Sequence, residues 1–263
     1  MRIAFWNTHK NEGINPIITK IIAEEKIDIM VLAEYCDKVS DLINSSRSFG
    51  NYNSYFTVGC GRITMIGKIE NVEPGIMTDY FAIQIINNEI LLCALHLNSN
   101  IYSNAQERRQ IVLQDLKRKI ENYKNDKKID NVVILGDFNE NPYDRNLMGV
   151  NGLNGVPVAK SIRKNPRIVA GISVDTYYNP MWNFLGDFNE PFGTYYYSTE
   201  APFWNIYDQV LISASLVNRF CKDKIKILTR ISGISIQKED CSPNKSQYSD
   251  HFPILFEIKE AEI

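Results

Sequence analysis

Nine short runs of apolar, largely β-branched residues punctuate the chain, at 2–6, 29–33, 63–67, 80–86, 90–97, 132–135, 206–212, 225–229 and 254–258. Their length and composition predict strands. Several stay apolar almost throughout instead of alternating with polar residues, the pattern of a strand covered on both faces. Helical spacing appears at 16–25 and at 104–123, where Leu113, Leu116, Ile120 and Tyr123 share a face behind a Ser103-x-x-Gln106 capping box. Strands interleaved with helices that cover them predict an α/β (α+β) four-layer sandwich, two packed mixed sheets flanked by helices. A chain of 263 residues is expected to form one domain. At that size its core needs no disulfide or metal staple.

Between 139 and 205 the pattern breaks into text rich in Gly, Pro and Asn, with no strand run of normal length, which predicts long surface loops. Of the 29 aromatic residues, 12 lie between Tyr177 and Tyr207. They either pin these loops by packing on one another or offer faces on which bases stack. The basic residues of 108–128 are interspersed with acids and read as the solvated face of a helix.

The formal charge of −2 excludes nucleic-acid binding through bulk basicity, so any polyanion must be met locally. Five scattered cysteines, Cys36, Cys60, Cys93, Cys221 and Cys241, show neither a CxxC pair nor a metal-ligand spacing. They fit a reduced compartment. The opening MRIAFWNTHK lacks the apolar stretch of a signal peptide, and no run approaches the ~20 residues that span a bilayer. The expected location is cytoplasmic.

Polar residues mark the ends of the predicted strands. Asn7 follows the first run and Glu34 the second; His96 lies at the end of 90–97; Asp137 and Asn139 follow 132–135. Asp208 precedes QVLIS, and Asp250 and His251 precede FPILF. Such positions collect at one rim of a sheet. Acids and amides without thiolates form a hard-oxygen donor set, suited to Mg²⁺ or Mn²⁺ and not to a cysteine zinc site. The histidines can transfer protons near neutrality or donate to a phosphoryl oxygen.

The motifs Trp6-Asn7, LAEY (32–35), ALHLNS (94–99), LGDFNENP (135–142), YDQVLIS (207–213) and SDHFP (249–253), in this order, resemble the endonuclease/exonuclease/phosphatase superfamily. The resemblance covers the chain from Arg2 to Ile258. It implies a four-layered sandwich with the active site at one rim and metal-assisted hydrolysis of phosphate esters. By the same resemblance Glu34 is the principal metal ligand, with Asn7 and Asp250 beside it. Asp137 orients and deprotonates the attacking water, Asn139 holds the phosphate and that water, and Asp208 fixes the tautomer of His251, which faces the phosphate.

His96 is similar to the histidine of the branches resembling pancreatic deoxyribonuclease, neutral sphingomyelinase and inositol polyphosphate phosphatase, where the branch resembling exonuclease III carries tyrosine. The glutamate that pairs with it in the deoxyribonuclease branch has no counterpart in Gly59-Cys60-Gly61-Arg62. His96 is therefore expected at the phosphate. The minor-groove arginine of that branch is missing too, because Tyr-Cys-Asp follows Glu34. Arg62 and Asn98 are the expected substrate contacts, with a solvated strand-edge arginine the other reading of Arg62. His9 has no assigned role. The predicted activity is a Mg²⁺- or Mn²⁺-dependent phosphodiesterase, a nuclease acting on DNA or RNA by direct water attack. The rivals are a small-molecule or lipid phosphatase of the inositol phosphate or sphingomyelin type and a non-catalytic binding module. Of two nearly identical strings, GDFNENP at 136–142 and GDFNEPF at 186–192, only the first follows a buried strand and is expected to be catalytic; Asp187 and Asn189 read as turn formers.

Overall fold

A computed structural model describes residues 1–100, 103–163, 165–187 and 190–260. Asn189 lies outside the described residues. The first quarter of the chain holds β1 (Arg2–Asn7), α1 (Asn15–Glu25), β2 (Ile29–Ala33), α2 (Val39–Ser46), β3 (Asn53–Ser54) and β4 (Ile63–Gly67). Next come β5 (Val72–Met77), β6 (Phe81–Ile86), β7 (Ile90–His96), α3 (Ala105–Lys127) and β8 (Asn131–Asp137). The loop-rich middle carries α4 (Arg145–Met148) and the short strands β9 (Gly155–Val156), β10 (Arg167–Val169), β11 (Ile172–Val174), β12 (Tyr177–Tyr178), β13 (Tyr195–Tyr196) and β14 (Trp204–Asn205). The chain then forms β15 (Asp208–Ser213), β16 (Lys226–Ile227), β17 (Arg230–Ile231), β18 (Ile234–Ser235) and β19 (Ile254–Glu257).

Two mixed sheets dominate. One has six strands in the order β16-β19-β1-β2-β4-β3, the other seven in the order β5-β6-β7-β8-β15-β12-β9. The unbroken apolar runs are explained by what lies on either side. In β7, Leu92 and Ala94 face the core between the sheets, while Leu91, Cys93 and Leu95 pack under Leu113, Leu116 and Ile120 of α3. β8 divides in the same way, Val133 and Leu135 inward and Val132 and Ile134 outward. On the far side Ile18, Ile21 and Ile22 of α1 and Leu42 of α2 cover the six-stranded sheet. Each Leu, Ile or Val side chain so removed from water contributes about 1.5–3 kcal/mol, which is why a two-sided strand tolerates no polar alternation.

Two expectations need correction. Asn104 precedes α3 at φ 65°, without a side-chain cap, so the Ser103-x-x-Gln106 box does not form. A capping side chain needs extended backbone at that position, and left-handed backbone points it elsewhere. The solvated-face reading of 108–128 fails at Arg109, which is buried, and at Lys117, whose Nζ donates to Val150 O at 3.1 Å and Gly152 O at 2.7 Å. All five cysteines are free. No helix among the described residues is long and apolar enough to cross a membrane.

Gly136 fixes the junction where β8 meets the site. Its φ is +147°, and a Cβ there would fall 1.9 Å from Leu95 O on the neighbouring strand. Neither backbone can yield without breaking the ladder between β7 and β8. Gly136→Ala is expected to cost about 3 kcal/mol or more, a loss that thermal unfolding would register.

Candidate active site

Strand direction brings the polar strand ends together. β1 and β2 run parallel, so Asn7 and Glu34 arrive at one edge. β7 and β8 are parallel with His96 in register with Asp137, and antiparallel β15 begins with Asp208 opposite Asp137. Because β19 is antiparallel to β1, Asp250 and His251, which precede it, reach the same rim from the other sheet. Ser249 fastens this last turn. Its Oγ donates to Asn7 O at 2.6 Å and accepts from His251 N at 3.0 Å, while Trp6 Nε1 donates to His251 O at 2.9 Å.

Asp137, 1% exposed, is the centre of the cluster. Its Oδ1 accepts the Asn139 N–H at 2.9 Å, and its Oδ2 accepts Asn7 Nδ2 at 2.9 Å. His96 Nε2 lies 3.6 Å and His251 Nε2 3.9 Å from that same Oδ2. Glu34 and Asn139 both adopt left-handed backbone, at φ 50° and 51°. That conformation costs a non-glycine residue about 1–2 kcal/mol, so each is held by its surroundings. Lys10 N and Thr8 Oγ1 each donate to Glu34 O at 3.0 Å, and Asn139 Nδ2 donates to Leu97 O at 3.0 Å.

His251 Nδ1 and Asp208 Oδ2 are 2.8 Å apart and buried. Burial alone would push the imidazole pKa down, but the carboxylates of Asp208, Asp137 and Asp250 more than reverse this and hold His251 up, to about 10. His251 is thus an imidazolium at neutral pH, its Nδ1–H given to Asp208 and its Nε2–H turned to the rim. His96 behaves oppositely. Burial, with Arg62 and His251 nearby, lowers its pKa in spite of Asp137 and Glu34, so it stays neutral.

The donor set fits a hard divalent ion. Among the described residues the Glu34 carboxylate has only 3.5 Å contacts, to Asn7 Nδ2 and His96 Nε2, which leaves its oxygens available beside buried Asp137. Oxygen ligands with few protein carboxylates match Mg²⁺, which retains several waters. Asp137, Asp208 and His251 bring candidate ligand atoms within 4.8 Å of one another, but Asp208 and His251 already bond each other and form the poorer ion site. Asp250 lies at the margin, with Oδ1 3.1 Å from His9 Nδ1 and Oδ2 3.3 Å from Lys245 Nζ. His9 is therefore a neighbour of the cluster and not an unattached surface residue.

Arg62 is not free at its strand edge. Its Nη2 donates to Asn98 Oδ1 at 3.2 Å and its guanidinium lies 4.5 Å above the Tyr80 ring. The pair sits close enough to His96 for Arg62 to depress the imidazole pKa.

Sequence reasoning missed the support beneath the site. Buried Arg109 on α3 donates to Glu140 Oε1 at 2.8 Å and to Asn98 O at 2.8 Å, joining the turn after Asp137 to the turn after His96. Asn146 Nδ2 adds a bond to Glu140 Oε1 at 2.7 Å. Helical spacing held the signal, because position 109 is one turn before Leu113 on the apolar face. Arg109→Met should cost about 3–5 kcal/mol by stranding Glu140, whereas Arg109→Met combined with Glu140→Leu should recover much of it, as urea unfolding can show.

The aromatic segment packs chiefly on itself. Tyr195 stacks on Tyr207 at 5.2 Å between ring centroids, Trp204 meets Phe192 and Tyr196, and Tyr195 also lies 4.8 Å from His251. Tyr197 and Phe203 remain exposed. Asp187, from the second GDFNE string, is exposed in a turn after the short 3-10 helix Pro180–Phe184, unlike buried Asp137.

A sequence profile of the Endonuclease/Exonuclease/phosphatase family matches residues 84–260. The fold is similar to that of a 3'-5' exonuclease from Neisseria meningitidis, at TM-score 0.61 and 14% identity over 99% of this chain and 100% of that one. It is likewise similar to an AP endonuclease from Archaeoglobus fulgidus, at TM-score 0.61 and 16% identity over 99% and 100% of the two chains. A mannosyl-6-phosphatase from Bacteroides thetaiotaomicron follows, at TM-score 0.56 and 13% identity over 99% and 100%. A search of curated proteins returns no match. The chain belongs to the endonuclease/exonuclease/phosphatase family. Its chemical class is accordingly that of a phosphoric ester hydrolase.

Proposed function

We propose that the protein is a Mg²⁺- or Mn²⁺-dependent phosphodiesterase that cleaves nucleic acid by direct attack of water. The observation that carries this reading is the setting of Asp137, a buried carboxylate fixed by Asn7 and Asn139, with His96 Nε2 3.6 Å and His251 Nε2 3.9 Å from its Oδ2. Asp137 Oδ2 takes the proton of the attacking water. Asn139 keeps one amide hydrogen and its Oδ1 for substrate and water, since its other hydrogen is given to Leu97 O. The imidazolium of His251 donates through Nε2 to the phosphoryl oxygen on which charge builds, and Asp208 holds its tautomer. His96, neutral, donates its one N–H to the phosphate without adding charge. Glu34, with Asn7 and Asp250, would hold the divalent ion, which when bound supplies a Lewis acid for the phosphoryl oxygen.

A diester is favoured because, among the described residues, the cations at the rim are few: His251, Arg62 bound to Asn98, Lys245 beside Asp250, and Lys10 next to Glu34. A terminal phosphate dianion needs a denser clamp. Exposed Tyr197 and Phe203 offer rings for bases instead. The test is a panel of single-stranded and duplex DNA, RNA and phosphomonoesters incubated with protein and Mg²⁺. Oligonucleotide cleavage is expected to outpace phosphate release from every monoester, and EDTA to stop it. Faster release of inorganic phosphate from small monoesters would instead establish the phosphatase rival.

A further inference from the structure

A protein of formal charge −2 must meet a polyanion locally, and one segment is charged to do so. No acidic residue occurs between Asp144 and Asp175, while Arg145, Lys160, Arg163, Lys164 and Arg167 supply five positive charges. The fold puts part of this segment on a projection. β10 and β11 pair from Arg167↔Val174 to Val169↔Ile172, around Ala170 and Gly171 at φ 50° and 79°, the two-residue turn of a tight hairpin. Lys160, Arg163 and Arg167 are exposed, and among the described residues none of them forms an ion pair. Among the described residues the Arg167 side chain makes one contact, to Asn154 Oδ1 at 3.5 Å. Lys160 also shares a cleft of about 480 Å³ with Lys222 and Lys259, against one acid, Asp223.

Two large apolar side chains stand out on the ribbon, Ile168 at 71% and Ile172 at 65% exposure. They belong to successive register pairs, Ile168↔Ser173 and Val169↔Ile172, so they point to opposite faces. One apolar face to lie on a bilayer is therefore lacking. A groove that encloses the ribbon contacts both faces at once, and the major groove of a duplex admits a two-stranded ribbon.

The ribbon is rooted away from the catalytic rim. Asp175 at its base pairs with Lys124 near the end of α3, and Tyr177 is in register with Ser213, at the opposite end of β15 from Asp208. The length of β15 makes that separation about 17 Å along the strand. We propose that the β10–β11 ribbon, with Lys160, Arg163 and Arg167, is a docking surface for duplex nucleic acid, separate from the rim where the bond is cut. This rests on the nuclease reading for its biological sense, but its test does not need turnover.

Binding of a fluorescent duplex of roughly 20 base pairs, measured by anisotropy without divalent ion from about 50 to 200 mM salt, compares the wild type with Lys160→Gln/Arg163→Gln/Arg167→Gln. The triple variant is expected to bind at least about tenfold more weakly, with a salt slope shallower by about 0.9 for each cation removed. Ile168→Ser/Ile172→Ser should weaken binding without changing the slope. Both variants should hydrolyse bis-(p-nitrophenyl) phosphate, too small to reach the ribbon, at the wild-type rate. Unchanged duplex affinity and slope in the triple variant would overturn the proposal. So would loss of binding to phosphatidylserine vesicles with duplex affinity intact, which would assign the ribbon to a membrane. Failure of the nuclease reading would appear separately, as absence of oligonucleotide cleavage in Mg²⁺ by the wild type.

Discussion

Asp137→Asn is expected to lower turnover by about 10²–10⁴-fold, the range associated with a positioned general base. The amide keeps the shape of the carboxylate and its bond to Asn139 N, so folding should survive while the proton acceptor disappears. Asp187→Asn, the same change in the duplicate string, should alter the rate by less than about tenfold, equivalent to ~1.4 kcal/mol of barrier. The contrast follows from placement: Asp137 closes a strand registered on both sides by His96 and Asp208, whereas Asp187 is exposed in a turn. Steady-state rates on a diester substrate, with circular dichroism of both variants, decide it. A crippled Asp187→Asn beside an active Asp137→Asn would reverse the assignment of the two strings.

Glu34→Gln should abolish activity and leave the fold as stable as before, or slightly more so, in EDTA. Glu34 and Asp137 approach the same His96 Nε2 at 3.5 and 3.6 Å, with the neutral Asn7 amide donating to both carboxylates. Two like charges that close oppose folding until a cation joins them, and removing one relieves the repulsion. The two proteins should then separate when metal is added. Mg²⁺ should raise the melting temperature of the wild type by mass action and leave that of Glu34→Gln nearly unmoved. Near-normal turnover or an undiminished Mg²⁺ shift in the variant would remove Glu34 from the proposed ligand set.

Much of this architecture was legible because it is written in apolar periodicity. The runs at 29–33 and 63–67 coincide with β2 and β4, and the others lie within a few residues of the observed strands. The polar strand ends were legible for the same reason, since once the strands were placed their termini had to share a rim. What escaped notice depends on neighbours. β5 contains Pro74 and Gly75 and is irregular between Pro74 and Met77, so no local pattern announces it. The two-residue strand β12 exists because β15 offers an edge to pair with, and β9 because β12 then offers the next. Arg109 was misread because a cation amid acids looks solvated until the residue facing it, Glu140, is known.

The six-stranded sheet is built from both ends of the described chain, with β1 registered against β19 across 255 positions at Arg2↔Glu257. The seven-stranded sheet comes from the stretch between. During synthesis β1 therefore emerges long before its partner, and pairing so distant in sequence is also slow to form. A nascent polypeptide that has not reached residue 251 lacks the imidazolium, the Ser249 fastening and the strand that closes one side of β1. An unfinished copy on the ribosome therefore lacks a complete rim, which assembles only with the last strand of the sandwich.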